Sequence, residues 1–250
     1  MSIGVYIQVP INQELILVAE GEFIMGTPFE NSRAEGASMP AKKVWLPSFY
    51  IQKCPISVGQ WRTFTRDAEY QWDFWSELEN VCPGDNYPIV FTSWQDCIAY
   101  AKWISASEKI EYSLPTEAQW EKSCRGADER EFPWGNDTSN NSELDVDCSN
   151  FAKTRFPIGE HNSLPSAYGC LEMCQNIYEH CLDWYDQLYY TYMNTVNPRG
   201  PISGSEHSIR GMNPCADFCY CWWRYGVDPL SHSENIGFRL AVNDLTSIRS

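Results

Sequence analysis

The sequence predicts an α+β fold with few helices, short antiparallel strands and a large share of irregular chain. Three observations carry this reading. Clear helix-start signals are few, at Ser57, Ser93 and Thr116. Alternating apolar segments are short and lie towards the two ends of the chain. Between them run aromatic-rich stretches that keep neither the helical nor the strand period.

Leu15–Val18 and Glu22–Gly26 read as two short strands, the second stopping on its glycine. Residues 27 to 42 are polar and rich in turn formers, a surface loop. Val44, Leu46, Phe49 and Ile51 mark a further β segment that Pro47 breaks. Ser57-Val58-Gly59-Gln60 is a capping box, and Trp61, Phe64 and Ala68 follow at helical spacing, so a helix is expected over about 57–69. Residues 70 to 92 read as irregular. From Ser93, the positions Trp94, Cys97, Ile98, Ala101 and Ile104 form one apolar helical face. Thr116 to Gln119 repeats the box signal after Pro115, and Gly126 marks the end of that helix. Residues 127 to 168 are dominated by loop; their Asp and Asn residues lack the regular D-x-D-x-D-G calcium pattern. Ile209-Arg210-Gly211 reads as a strand closing on glycine, and Gly237 to Val242 as a final strand. With neither an internal repeat nor a linker, residues 1–250 are expected to form a single domain.

A net charge of −15 and a pI near 4.6 argue against a nucleic-acid partner, and the basic residues are scattered. No stretch approaches a membrane span, and residues 1 to 21 lack the basic and apolar regions of a signal peptide. The 11 cysteines are an odd number without zinc-site spacing, and many stand where a small apolar residue would serve. Their pairing and redox compartment stay open.

Several segments together resemble the formylglycine-generating enzyme/sulfatase-modifying-factor domain, a large variant of the C-type lectin fold. They are Phe23-Ile24-Met25-Gly26-Thr27, PIVFTSWQDCIAYAKW at 88–103, SLPTEAQWEKSCRG at 113–126, Pro133 to Asn136, YGCLEMCQNIYEHCLDWY at 168–185, and Gly237 to Leu240. The resemblance implies a twisted antiparallel sheet and a core or core-edge role for Trp94, Trp103, Trp120, Trp134 and Trp184. It also implies a structural calcium on Asn150, Glu172 and Glu179, with backbone help near Gln175 and Ile177; no other cofactor is required.

Enzymes of this family oxidise a substrate cysteine with a copper-binding C-x4-C pair, as soft sulfur suits Cu(I). Here Cys215 and Cys219 have three residues between them, Cys219 and Cys221 one, and Cys215 and Cys221 five, so no pair fits. The family's R-G-G-S-W/Y stands as Arg210-Gly211-Met212-Asn213-Pro214, and Cys221 matches a framework cysteine of non-catalytic members. No catalytic residues are therefore assigned and the chain is expected not to be an enzyme. Copper-dependent oxidation of a substrate cysteine and an undiversified interaction domain are the alternatives.

The departures from the family gather between Met212 and Asn235. Lys, Gln and Glu supply 7, 9 and 20 of the 250 residues, yet Glu234 alone represents them in this 24-residue window. Apart from Glu234, Met212, Trp222 and Trp223, every residue there can be encoded by a codon ending in C or T, the result of replacing adenines in Asn codons at random. This resembles the variable region of proteins diversified by a retroelement, the treponemal variable type among them, in which the variable side chains line an exposed ligand-binding surface. The expected ligand-binding residues are Asn213, Cys215, Ala216, Asp217, Phe218, Cys219, Tyr220, Trp222, Trp223, Tyr225, Val227, Leu230, Ser231 and His232, within a variable region at about 210–239. Large aromatic side chains with few rotors suit such a surface, and one of Trp222 and Trp223 is expected to pack inward. The implied partner is a variable protein or cell-surface ligand, bound by a monomer at the cell surface or outside the cell.

Overall fold

A computed structural model describes residues 6–9, 13–31, 36–137, 155–159, 164–174, 176–211 and 220–244. The chain builds β1 (Tyr6–Val9), β2 (Gln13–Val18), β3 (Gly21–Met25), β4 (Lys42–Leu46) and β5 (Phe49–Gln52). Then come α1 (Val58–Asp67), α2 (Trp75–Val81), α3 (Trp94–Glu108), β6 (Tyr112–Ser113) and α4 (Glu117–Arg125). It closes with β7 (Tyr178–Trp184), α5 (Tyr189–Tyr192), β8 (His207–Gly211), β9 (Arg224–Val227), β10 (Ile236–Gly237) and β11 (Ala241–Val242). This is the mixed α+β architecture that the sequence predicts.

Helices α1, α3 and α4 begin where expected, and each carries a complete capping box. Ser57, Ser93 and Thr116 accept from the third backbone N–H, while Gln60, Asp96 and Gln119 reach back. Two elements differ from expectation. Helix α2 lies in the stretch read as irregular; its N-cap is Phe74, without a side-chain cap, so no start signal marks it. The expected final strand is two short ones in different sheets, β10 beside β7 and β11 between β5 and β6.

The strands form a five-stranded sheet in the order β1-β2-β5-β11-β6, a four-stranded sheet β10-β7-β8-β9 and the hairpin β3-β4. All pairs are antiparallel except β10 with β7. One apolar cluster gathers Trp61, Phe64, Tyr100 and Phe238 between α1, α3 and the C-terminal segment. A second joins β2 to β5 with Trp120, Cys124, Tyr190 and Cys221. Every residue of α4, charged ones included, is buried. A helix buried on all sides needs internal partners for its charges: Glu117 and Glu121 find guanidiniums in the four-stranded sheet, while Lys122 and Arg125 donate to backbone carbonyls around β3.

Candidate functional site

The four-stranded sheet positions the segment that departs from the family. β8 and β9 pair antiparallel, with Arg210 opposite Arg224 and Ile209 opposite Tyr225, so residues 212–223 are the connection between two neighbouring strands. Asn213, Cys215, Ala216, Asp217, Phe218 and Cys219 lie outside the described residues.

Both strands flanking this connection are anchored to α4. Arg210 is fully buried and donates to Glu117 at 3.0 Å, to Glu121 at 2.7 Å and to the carbonyl of Cys221 at 2.6 Å. Arg224 donates to both oxygens of Glu117 and to the carbonyls of Ala37 and Asp186, and its guanidinium lies 4.5 Å over the Tyr185 ring and 4.6 Å over the Tyr190 ring. Burial alone would raise the Glu117 carboxyl; Arg224 and Arg210 overcome it and hold the group below its ordinary range. Arg224 falls within the segment read as variable, yet it is framework. Its signal in the sequence is faint: an arginine flanked by aromatics, with its carboxylate partner 107 residues away.

The expected binding residues separate by depth. Tyr220 and Trp222 are buried at 3% and 0% exposure, which corrects their placement on an exposed surface. They join a stack in which Trp134 lies on Phe132 at 5.4 Å, Phe132 on Tyr220 at 5.1 Å and Tyr220 on Trp222 at 4.5 Å. Aromatic rings next to a turn find a core here because the 132–134 loop supplies its other half. Trp223 is half-buried, so Trp222 is the member of the pair that packs inward. Trp223 meets Tyr225 edge-on at 6.1 Å, and Tyr225 meets Tyr178 at the same distance, an aromatic row across the sheet. Val227 and Ser231 are half-buried, and Leu230 is 63% exposed. His232 is exposed but held: it stacks on Phe74 at 4.5 Å, and its Nε2 lies 3.1 Å from Asp96 Oδ2, in the cap of α3. The segment 223–232 is thus the described part of the expected surface, comprising β9 and the turn that leads from it to the start of α3.

Of the implied calcium ligands, the two described glutamates are already engaged by protein donors. Asn150 and Gln175 lie outside the described residues. Both oxygens of Glu179 are engaged, by Arg239 at 2.7 Å on each and by the Trp120 indole N–H at 2.8 Å. A hard cation needs six to eight oxygen ligands free to face it, whereas Glu179 already neutralises a buried guanidinium. Glu172 accepts from the Gly159 N–H at 2.6 Å and from Asn176 at 3.2 Å, and burial raises its carboxyl above the ordinary range. The two glutamates serve as network carboxylates.

Comparison with known proteins gives a consistent picture. Residues 8–244 match the sulfatase-modifying factor enzyme 1-like domain. The chain is 34% identical to the formylglycine-generating enzyme of Streptomyces coelicolor over 91% of this chain and 88% of that one. It is 25% identical to the mouse formylglycine-generating enzyme, covering 93% and 76% of the two chains, and 27% identical to the hercynine oxygenase of Mycolicibacterium smegmatis over 78% and 53%. Among solved structures, Treponema denticola variable protein 1 superposes with a TM-score of 0.79 at 18% identity, covering 98% of this chain and 100% of that one. PvdO from Pseudomonas aeruginosa superposes with a TM-score of 0.77 at 18% identity and the same coverage. These structures carry the fold. The relatives with enzyme names overturn the expectation that the chain stands apart from enzymes.

Proposed function

Because this chain belongs to the sulfatase-modifying factor enzyme 1-like family, we propose that it uses the family scaffold to present a ligand-binding surface diversified by a retroelement. The surface comprises the connection after β8 as far as Cys219 and the side chains left at least partly exposed between Trp223 and His232. The observation that carries this reading is the composition of residues 212–235, where Glu234 is the only Lys, Gln or Glu, in a chain that has 36 of them among its 250 residues. The buried anchors support it physically. Arg210 and Arg224 tie both ends of the connection to α4, and Tyr220 and Trp222 pack inward beneath its far end, so the sheet is held by these residues rather than by the exposed side chains beyond them. The likeness of the fold to Treponema denticola variable protein 1 points the same way.

The test is genomic. Sequencing the DNA around the gene should reveal a near-copy of the segment coding for 210–239, differing from it only at adenines, beside a reverse-transcriptase gene. Flanking DNA without that copy overturns the diversification.

A second reading, oxidation of a peptide cysteine, is favoured by the 34% identity to a formylglycine-generating enzyme. Incubating the reduced chain with copper, air and a cysteine peptide decides it: formylglycine detected by mass spectrometry supports the enzyme, and unchanged peptide removes it.

A further inference from the structure

The start of β2, the chain just after β5, the first turn of α1 and three short segments (85–86, 158–159 and Leu171) line a cleft of about 670 Å³. That volume is in the range of small-molecule sites, and the described lining residues all lie outside 210–239. Backbone hydrogen bonds fix its walls. The Lys53 N–H donates to the Glu14 carbonyl at 2.9 Å and the Leu171 N–H to the Lys53 carbonyl at 2.8 Å. The Gly59 N–H donates to the Asp85 carbonyl at 2.8 Å and the Ile158 N–H to the Asn86 carbonyl at 2.7 Å. An ion pair belongs to the lining, with Lys53 Nζ 2.6 Å from Glu14 Oε2, and the two side chains keep 30% and 46% of their surface open. Asp85, a second lining carboxylate, is engaged by Arg62 at 3.2 Å. Pro55, Ile158 and Leu171 supply apolar surface. Burial pushes the Cys54 thiol up to about 12, so this lining residue adds no charge.

We propose that this cleft binds a free α-amino acid with an apolar side chain. Its lining combines a fixed pair of opposite charges with apolar surface. A lone anion would meet Glu14 and a lone cation Lys53, so the pair attracts neither strongly. A zwitterion laid antiparallel to the pair satisfies both members. Its carboxylate accepts from the Lys53 ammonium, which can donate three times, and its ammonium donates to Glu14 Oε1, which no protein donor engages among the described residues. An α-amino acid carries its two charges on one carbon, close enough together to face partners only 2.6 Å apart. Its side chain is then left to cover Pro55, Ile158 and Leu171, where burial of apolar surface adds to the binding. Engaging the pair costs little, because exposed ion pairs contribute little on their own.

The experiment titrates the full chain calorimetrically with L-leucine and with three relatives of it. N-acetyl-leucine lacks the ammonium, leucinamide lacks the carboxylate and glycine lacks the side chain. Saturable binding of leucine at one site is expected, together with a raised melting temperature. Each of the three relatives should bind at least about tenfold more weakly. Lys53→Met and Glu14→Gln should each weaken leucine binding by a similar factor and keep the fold, since the pair they break is exposed. Leu230→Ala, on the candidate surface, should bind leucine as the unaltered chain does. Should a variant of the pair fail to fold, the blocked ligands still decide on the unaltered chain. Absence of saturable leucine binding overturns the proposal, as does equal affinity for leucine and any one of its three relatives, or leucine binding undiminished in folded Lys53→Met and Glu14→Gln.

Discussion

Glu117 receives two guanidiniums, those of Arg210 and Arg224, in a place no water reaches. Glu117→Gln would leave that positive charge underbalanced, and breaking a buried pair from one side costs about 3–5 kcal/mol. Urea denaturation should show a loss of that order, while a drop below about 1 kcal/mol would place the stabilising charge elsewhere. Two further buried groups make opposite contributions to the pH dependence. Burial holds the His180 imidazole down at about 4, so its stabilising effect is complete above the ordinary value of 6.5 and is lost as pH falls towards 4. Burial and the charge of Glu117 push the Asp183 carboxyl up to about 7. Its ionisation therefore costs stability as pH rises from the ordinary value of 3.8 through 7. His180→Gln should then leave a chain that gains stability on acidification from pH 7 to 4, and Asp183→Asn one that loses it. Each slope is worth a few kcal/mol and is readable from urea midpoints across that range. None of these partnerships is legible in sequence: Glu117 and Arg224 are 107 residues apart, and nothing local marks either as buried.

At the scale of elements, legibility follows local chemistry. The starts of α1, α3 and α4 could be read because a capping box is written within four consecutive residues. Helix α2 could not, since packing rather than a cap holds it: Trp75 meets Trp72 at 4.9 Å and Arg62 at 4.7 Å. The split of the expected last strand has a similar tertiary cause. Gly237 pairs with Glu179 of β7 and passes so near the backbone carbonyl of Ile89 that no Cβ fits between them. The chain then crosses through Phe238 and Arg239 to reach the other sheet at Ala241. Gly237→Ala would force backbone apart and should cost about 1–3 kcal/mol or more, seen as a lowered melting temperature. A neutral result would mean that the Ile89 segment yields freely.

For the molecule as a whole, α4 is the post on which the sheets and the candidate surface are hung, and the surface divides into inner supports and outer side chains. Trp222→Ala removes a fully buried ring and should cost about 3–5 kcal/mol. Leu230→Ala, at an exposed position, should stay within about 0.5 kcal/mol. Equal losses for the two would abolish the division. The sequence by itself determined the α+β class, the family and the boundaries of the unusual segment, because motifs, caps and composition are properties of neighbours along the chain. It did not separate Trp222 from Leu230, find Arg224 a carboxylate or bring Glu14, Lys53 and Ile158 to one cleft. Tertiary structure decided those, since burial, ion pairing and cavity shape arise only when segments remote in sequence are packed against one another.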